Sequence, residues 1–217
     1  MKKQLLSAVM LCTMALVGCG EETPMSPSTP STPTNPTPGT DTGPRNTPAK
    51  INAALVGKTL VMKGSDIPSH PNGYDEDVNY GQATQCYQSV TLKVESEQAY
   101  RLTSTLGTLR DAPSVGNKGT CDHDAAQTQL EFTSTTVLLE NVKADGTCFD
   151  VTYTFPGGLV QEGRGQLSDD GKTLKLELYF QSRVTGHRCA DGSVGSKTVL
   201  LGGAQFSGNA VQTYIAQ

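Results

Sequence analysis

From residue 51 onward, apolar residues recur at every second position. Val90, Leu92 and Val94 alternate with Thr91, Lys93 and Glu95; Phe149, Val151, Tyr153 and Phe155 alternate with Asp150, Thr152 and Thr154; Leu174, Leu176, Leu178 and Phe180 alternate with Lys175, Glu177 and Tyr179. A period of two sends neighbouring side chains to opposite faces of an extended chain, so each segment has one dry face and one wet face. Similar runs occupy 57–63, 98–106, 128–133, 135–142, 158–167 and 197–206, with a short one at 210–216. Asp145-Gly146 and Asp170-Gly171 punctuate them, the second as a tight hairpin turn. No segment sustains a helical stripe. The expected class is all-β, an antiparallel meander of about eight to ten strands closed as a barrel, with a β-sandwich as second choice.

The first fifty residues obey other rules. Lys2 and Lys3 precede an apolar stretch from Leu5 to Val17, too short to span a bilayer comfortably, and Leu16, Val17, Gly18 and Cys19 follow at once. This pattern resembles the lipobox of bacterial lipoproteins. The resemblance implies a signal peptide of residues 1–18, cleavage before Cys19, and acyl chains, palmitate among them, on the new terminus. Two or three such chains make membrane attachment effectively permanent. Gly20 stands where an aspartate would mark inner-membrane retention in that family, so the expected address is the outer membrane, facing the periplasm or the outside.

Residues 19–50 then read as the lipidated cysteine and a linker, with prolines at 24, 27, 30, 33, 36, 38, 44 and 48 set among serines and threonines. Proline at every second or third position fixes φ and removes amide donors, and there is almost nothing apolar to bury. In polyproline II, at about 3.1 Å per residue, such a tether reaches roughly 90 Å at most. A glycosylated stalk or a recognition segment has the same composition. Residues 51–217 are long enough for one domain with its own core. The whole chain carries a formal net charge of −4, and loss of two lysines with the signal peptide brings it to about −6, which argues against nucleic acid and against electrostatic adhesion to anionic lipid.

With Cys12 in the signal peptide and Cys19 lipidated, Cys86, Cys121, Cys148 and Cys189 remain, an even number in a chain exported to an oxidising space. Three connectivities exist for four cysteines. The local pairing, Cys86–Cys121 with Cys148–Cys189, is preferred because each pair brackets a strand-containing segment. A thiolate metal site is disfavoured, since no CxxC spacing occurs.

Chemical motifs are sparse. Asp75, Asp77 and Asn79 alternate as oxygen ligands for Ca²⁺ would, with Glu76 beside them, yet the glycine falls one place late and the twelfth place is Cys86 instead of a bidentate glutamate. A solvated acidic loop is the preferred reading, and no metal or other cofactor is expected. His70, His123 and His187 read as exposed loop histidines, with His123 set between Asp122 and Asp124. GSVGSKT at 192–198 has Ser196 where a phosphate loop needs glycine before its lysine, so it reads as a glycine-rich hairpin. Neither GxSxG nor HExxH occurs.

Two segments, LVGKTLVMKG at 55–64 and LSDDGKTLKLEL at 167–178, resemble the opening strand and a late hairpin of bacterial lipocalin-like lipoproteins, although Lys58 follows Gly57 where that family usually has tryptophan. The resemblance implies a barrel and a small apolar ligand. The leading expectation is a non-catalytic envelope domain that binds such a ligand or an envelope protein. A surface adhesion or assembly protein comes second, and a hydrolase without a legible motif third.

Overall fold

The structure is a computed structural model that describes residues 44–63, 86–110, 120–126, 128–180, 184–206 and 209–217. It is mostly β. The strands are β1 (Thr59–Lys63), β2 (Tyr87–Val94), β3 (Tyr100–Leu106), β4 (Thr108–Arg110), β5 (Thr120–Asp122), β6 (Gln129–Thr133), β7 (Thr136–Glu140), β8 (Phe149–Thr154), β9 (Val160–Leu167), β10 (Thr173–Phe180), β11 (Val184–Thr185), β12 (Leu200–Leu201), β13 (Ala204–Gln205) and β14 (Val211–Ala216). Nine of them form one sheet in the order β6-β3-β2-β1-β14-β10-β9-β8-β7, curled into a half-barrel.

The two edge strands of this sheet are consecutive in sequence. Every one of the eight pairings between them is antiparallel, so β6 and β7 run in the same direction. Residues 129–140 therefore behave as one bent strand whose first half pairs with β3 and whose second half pairs with β8. At the bend, the Ser134 amide donates to the Tyr100 carbonyl at 3.0 Å and the Thr135 amide to the Thr154 carbonyl at 2.7 Å. Neighbouring amides thus stitch the two edges of the sheet together. This is how the expected barrel is realised: a meander whose last strand, β14, returns to β1, with a seam between β6 and β7.

The inward faces are those the alternation marks. Leu60, Met62, Val90, Leu92, Val94, Tyr100, Leu102, Phe149, Val151, Tyr153, Leu174, Leu176, Leu178 and Tyr214 form one core and none is more than 2 % exposed. Gly165, on the inward face of β9, lies under the Phe149 ring, where an added Cβ would come within 2.5 Å of ring carbons.

A short helix crosses the boundary at which the tether was expected to end. α1 (Pro48–Leu55) starts on Thr47, whose hydroxyl accepts from the Lys50 amide, has proline in its first turn, and stops before Gly57 at φ +83°. Ile51, Ala54 and Leu55 lie at i, i+3 and i+4 and join the barrel core. With only this single turn-and-a-half of apolar stripe, the period is too short to register beside the strands. Lys58 donates to the Gly171 carbonyl at 2.7 Å and Arg45 to the Asp169 carbonyl at 3.2 Å, tying the start of the domain to the 168–172 turn. That turn is wider than a two-residue hairpin: the Ser168 amide meets the Thr173 carbonyl and Gly171 takes φ +66°.

Two insertions decorate the meander. The β4–β5 hairpin lies between β3 and β6, and a longer excursion carrying β11, β12 and β13 lies between β10 and β14. The disulfides join Cys86 to Cys121 and Cys148 to Cys189. The first clamps the hairpin to the start of β2, and the second clamps the excursion to the residue before β8.

Candidate functional site

The densest polar chemistry among the described residues is on the outer face of β8, β9 and β10, beneath the excursion. Alternation places Asp150 and Thr152 on β8, Glu162 and Arg164 on β9, and Glu177 and Tyr179 on β10 outward. Register then sets Asp150 opposite Arg164, and Arg164 opposite Glu177. An outward strand face ordinarily meets water. Here residues 184–206 cover it, and Tyr179, Val184, Val199, Phe206 and Ala210 form a second apolar cluster beside the charges.

Arg164 is wholly buried. Its Nε donates to Glu177 Oε2 at 2.6 Å, Nη1 to the Gly192 carbonyl at 3.0 Å and to Thr198 Oγ1 at 3.1 Å, and Nη2 to the Ser196 carbonyl at 3.1 Å. Glu177 Oε2 also accepts from the Gly195 amide at 3.0 Å. One buried ion pair therefore fastens both sides of the 192–198 loop, and the guanidinium fork satisfies carbonyls that a covered loop would otherwise leave bare. GSVGSKT is a glycine-rich turn whose carbonyls hold a protein cation and whose Gly195 amide holds that cation's carboxylate partner.

A second set lies two residues along the same faces. Glu162 pairs with Arg188 and sits 3.2 Å from His187 Nε2, while Arg188 Nη1 reaches Thr152 Oγ1 at 3.5 Å. Asp150 accepts from the Cys189 amide at 2.7 Å and from Asn141 Nδ2 at 2.8 Å. His187 is 7 % exposed, which corrects the expectation of an exposed loop histidine. Its position two residues before a disulfide cysteine draws it under the excursion. Although Nε2 is close to Glu162, neither ring nitrogen makes an aligned hydrogen bond. Burial holds the His187 pKa below the usual histidine value, Glu162 works against that, and Arg188 adds to it.

This depression fixes the sign of a pH effect. The folded state binds the His187 proton less tightly than the unfolded chain, so protonation favours unfolding. Stability is fully present above the unfolded histidine value near 6.5 and declines as pH falls through it, with a slope of at most about 1.4 kcal/mol per pH unit for one proton. Denaturant midpoints of the native chain should therefore fall between about pH 7.5 and 5.5, and His187→Gln should flatten that decline. An unchanged slope in the variant would assign the effect elsewhere.

His123 is half-buried, with Nδ1 2.6 Å from the Tyr87 carbonyl and 3.2 Å from Cys121 Sγ, beside the first disulfide. Asp122 holds Arg110 through two hydrogen bonds and caps the amides of Asp124 and Ala125. Both are bracing the β4–β5 hairpin. Cys19, His70, Asp75, Asp77 and Asn79 lie outside the described residues. Among the described residues, no three His, Cys, Asp or Glu side chains converge as a metal set.

Beside the Arg164–Glu177 pair is a cleft lined by Tyr179, Ser196, Lys197, Phe206 and Asn209, with a volume of about 20 Å³. That is the scale of a single water. The buried network is thus a mounting for a loop, with every polar atom of Arg164 engaged. Alternation places Glu177 on the outward face, but the wet surroundings expected there are replaced by the covering excursion, which leaves Glu177 4 % exposed. What could have signalled burial there is EGRG at 162–165, two charges flanked by glycines within a strand.

Compared with known proteins, the chain matches no family model, no curated protein and no solved structure.

Proposed function

We propose that the chain is a lipid-anchored outer-membrane lipoprotein whose β-domain is non-catalytic and acts by docking an envelope protein on its surface, not by carrying a ligand inside. The packed interior supports this most directly. Tyr100, Tyr153, Tyr214 and Phe149 belong to one core and are at most 2 % exposed, whereas a pocket for a drug-sized ligand needs about 300 Å³ or more. Tyr100 and Tyr153 approach at 5.5 Å between ring centroids, filling the level at which the seam closes. The lipobox at residues 16–19 supports the anchor, and the proline-rich segment supports a spacer between membrane and domain.

Two measurements test separate parts of this reading. Cys19→Ala is expected to abolish palmitate incorporation and leave an unprocessed precursor, because the thiol is the acceptor the lipobox offers; normal labelling would end the lipoprotein reading. Titration of the chain with fluorescent fatty acids is expected to show no saturable one-to-one site. Micromolar saturation would overturn the packed-interior argument and restore a ligand carrier.

A further inference from the structure

We propose that the free edge of β6 is a docking site for an extended segment of a protein partner, taken up as an added strand with a cationic residue opposite Glu131 and apolar residues on either side of it. This rests on the surface-docking reading above and says where and by what chemistry docking occurs.

The register identifies the available groups. Leu106 donates to the Thr128 carbonyl and Ser134 to the Tyr100 carbonyl. The hydrogen-bonded pairs of the β3–β6 ladder are therefore Ser104 with Leu130 and Leu102 with Phe132. Gln129, Glu131 and Thr133 aim their amides and carbonyls the other way, along the seam. On β7 the corresponding direction is occupied: the Val137 amide donates to Gln98 Oε1 at 3.1 Å. Among the described residues nothing does the same for β6.

The side chains repeat the message. Leu130 and Phe132 lie on the inward face, directly opposite the buried Ser104 and Leu102, yet are 37 % and 42 % exposed, because among the described residues no further strand pairs beyond β6 to cover them. Phe132 meets Phe155 edge-on at 6.4 Å, and Leu159, in the turn that follows Phe155, is 42 % exposed. Ser104 Oγ is buried without a hydrogen-bond partner. A strand laid along β6 would pair the three free residues and cover Leu130 and Phe132 with its own apolar side chains, the mode known as β-augmentation.

Charge selects the occupant. Glu131 is the ionisable group on this strand, its side chain is 54 % exposed, and its ion pair among the described residues, to Arg101, is shared with Glu95. A second copy of the chain, fully overlapped antiparallel on β6, would set Glu131 against its own equivalent, and like charges directly opposite are unfavourable. A cationic residue at that place is favourable, which points to a partner and away from self-pairing.

The test is amide hydrogen exchange on the full chain with two synthetic peptides at millimolar concentration, acetyl-Thr-Val-Lys-Val-Thr-amide and its glutamate-centred twin. Slowed exchange is expected at Gln129, Glu131 and Thr133 and not at Leu130 or Phe132, with the lysine peptide binding about five- to tenfold more tightly. Glu131→Lys should reverse that preference, and N-methylation of the peptide backbone should remove the protection. Absence of protection, equal affinity for the two peptides, a preference that Glu131→Lys leaves unchanged, or peptide-independent protection that grows with protein concentration would each overturn the proposal, the last by showing a second copy on the edge. Exchange reads the edge whether or not Cys19 is acylated, so a negative result here is distinguishable from failure of the lipoprotein reading, which palmitate labelling decides.

Discussion

Arg164→Ala is expected to lower the unfolding free energy by about 3–5 kcal/mol, the usual cost of removing one partner from a buried ion pair. For a domain of this size that corresponds to a fall in Tm of roughly 6–20 °C. The cost has two sources. Glu177 remains behind 5 % exposed without its cation, and the carbonyls of Gly192 and Ser196 lose the donor that satisfies them. The first source can be separated from the second. Glu177→Gln removes the charge but leaves Arg164 its two carbonyl acceptors, so it should cost less than Arg164→Ala. A double replacement by apolar residues, Arg164→Met with Glu177→Leu, should recover part of the loss, because no lone charge stays buried. Equilibrium denaturation of the three variants checks the order. If Arg164→Ala cost under about 1 kcal/mol, the pair would be behaving as a solvated surface bridge and the excursion would not be sealed over it.

The two parts of the molecule differ in how openly the sequence declares them. The barrel strands are legible because each buries one face and wets the other. Val90, Leu92 and Val94 on β2, or Leu174, Leu176 and Leu178 on β10, carry that pattern without ambiguity, and the structure buries all six. The seam is not legible. Residues 128–133 and 135–142 read as two strands, and nothing local says that they share a direction; that follows only when the pairings around the ring are counted.

The mounting beneath the excursion is hidden for a related reason. Glu162, Arg164 and Glu177 occupy wet-face positions, as alternation requires, and a second layer then covers them. Alternation reports the side of the sheet and is silent on what else packs there. His187 is hidden by the same route: a polar residue among glycines and turn formers looks exposed until the disulfide two residues on is known to pull it inward. The helix Pro48–Leu55 shows the opposite failure, since proline and threonine that continue the tether's composition also serve as first-turn residue and N-cap.

Removing the Cys148–Cys189 disulfide, by Cys148→Ser with Cys189→Ser, is expected to cost about 4 kcal/mol from chain entropy alone, given a separation of 41 residues. The same reckoning gives nearly the same figure for Cys86–Cys121, with a separation of 35, so entropy does not rank the two. Their surroundings do. Cys148 and Cys189 are 0 % and 2 % exposed, against 5 % and 9 % for Cys86 and Cys121, and the Cys189 amide is fixed to Asp150 while its neighbours His187 and Arg188 carry the Glu162 contacts. Two serine hydroxyls would be left where the buried sulfurs stood, and the excursion would lose the covalent point from which the ion network is aligned. Loss of Cys148–Cys189 should therefore exceed loss of Cys86–Cys121 in its effect on the denaturant midpoint. It should also be non-additive with Arg164→Ala, because both changes release the same loop and the second finds it already loosened. Additive losses from that triple variant would mean that disulfide and ion pair secure the excursion independently, and equal losses for the two disulfides would mean that loop entropy outweighs the buried surroundings.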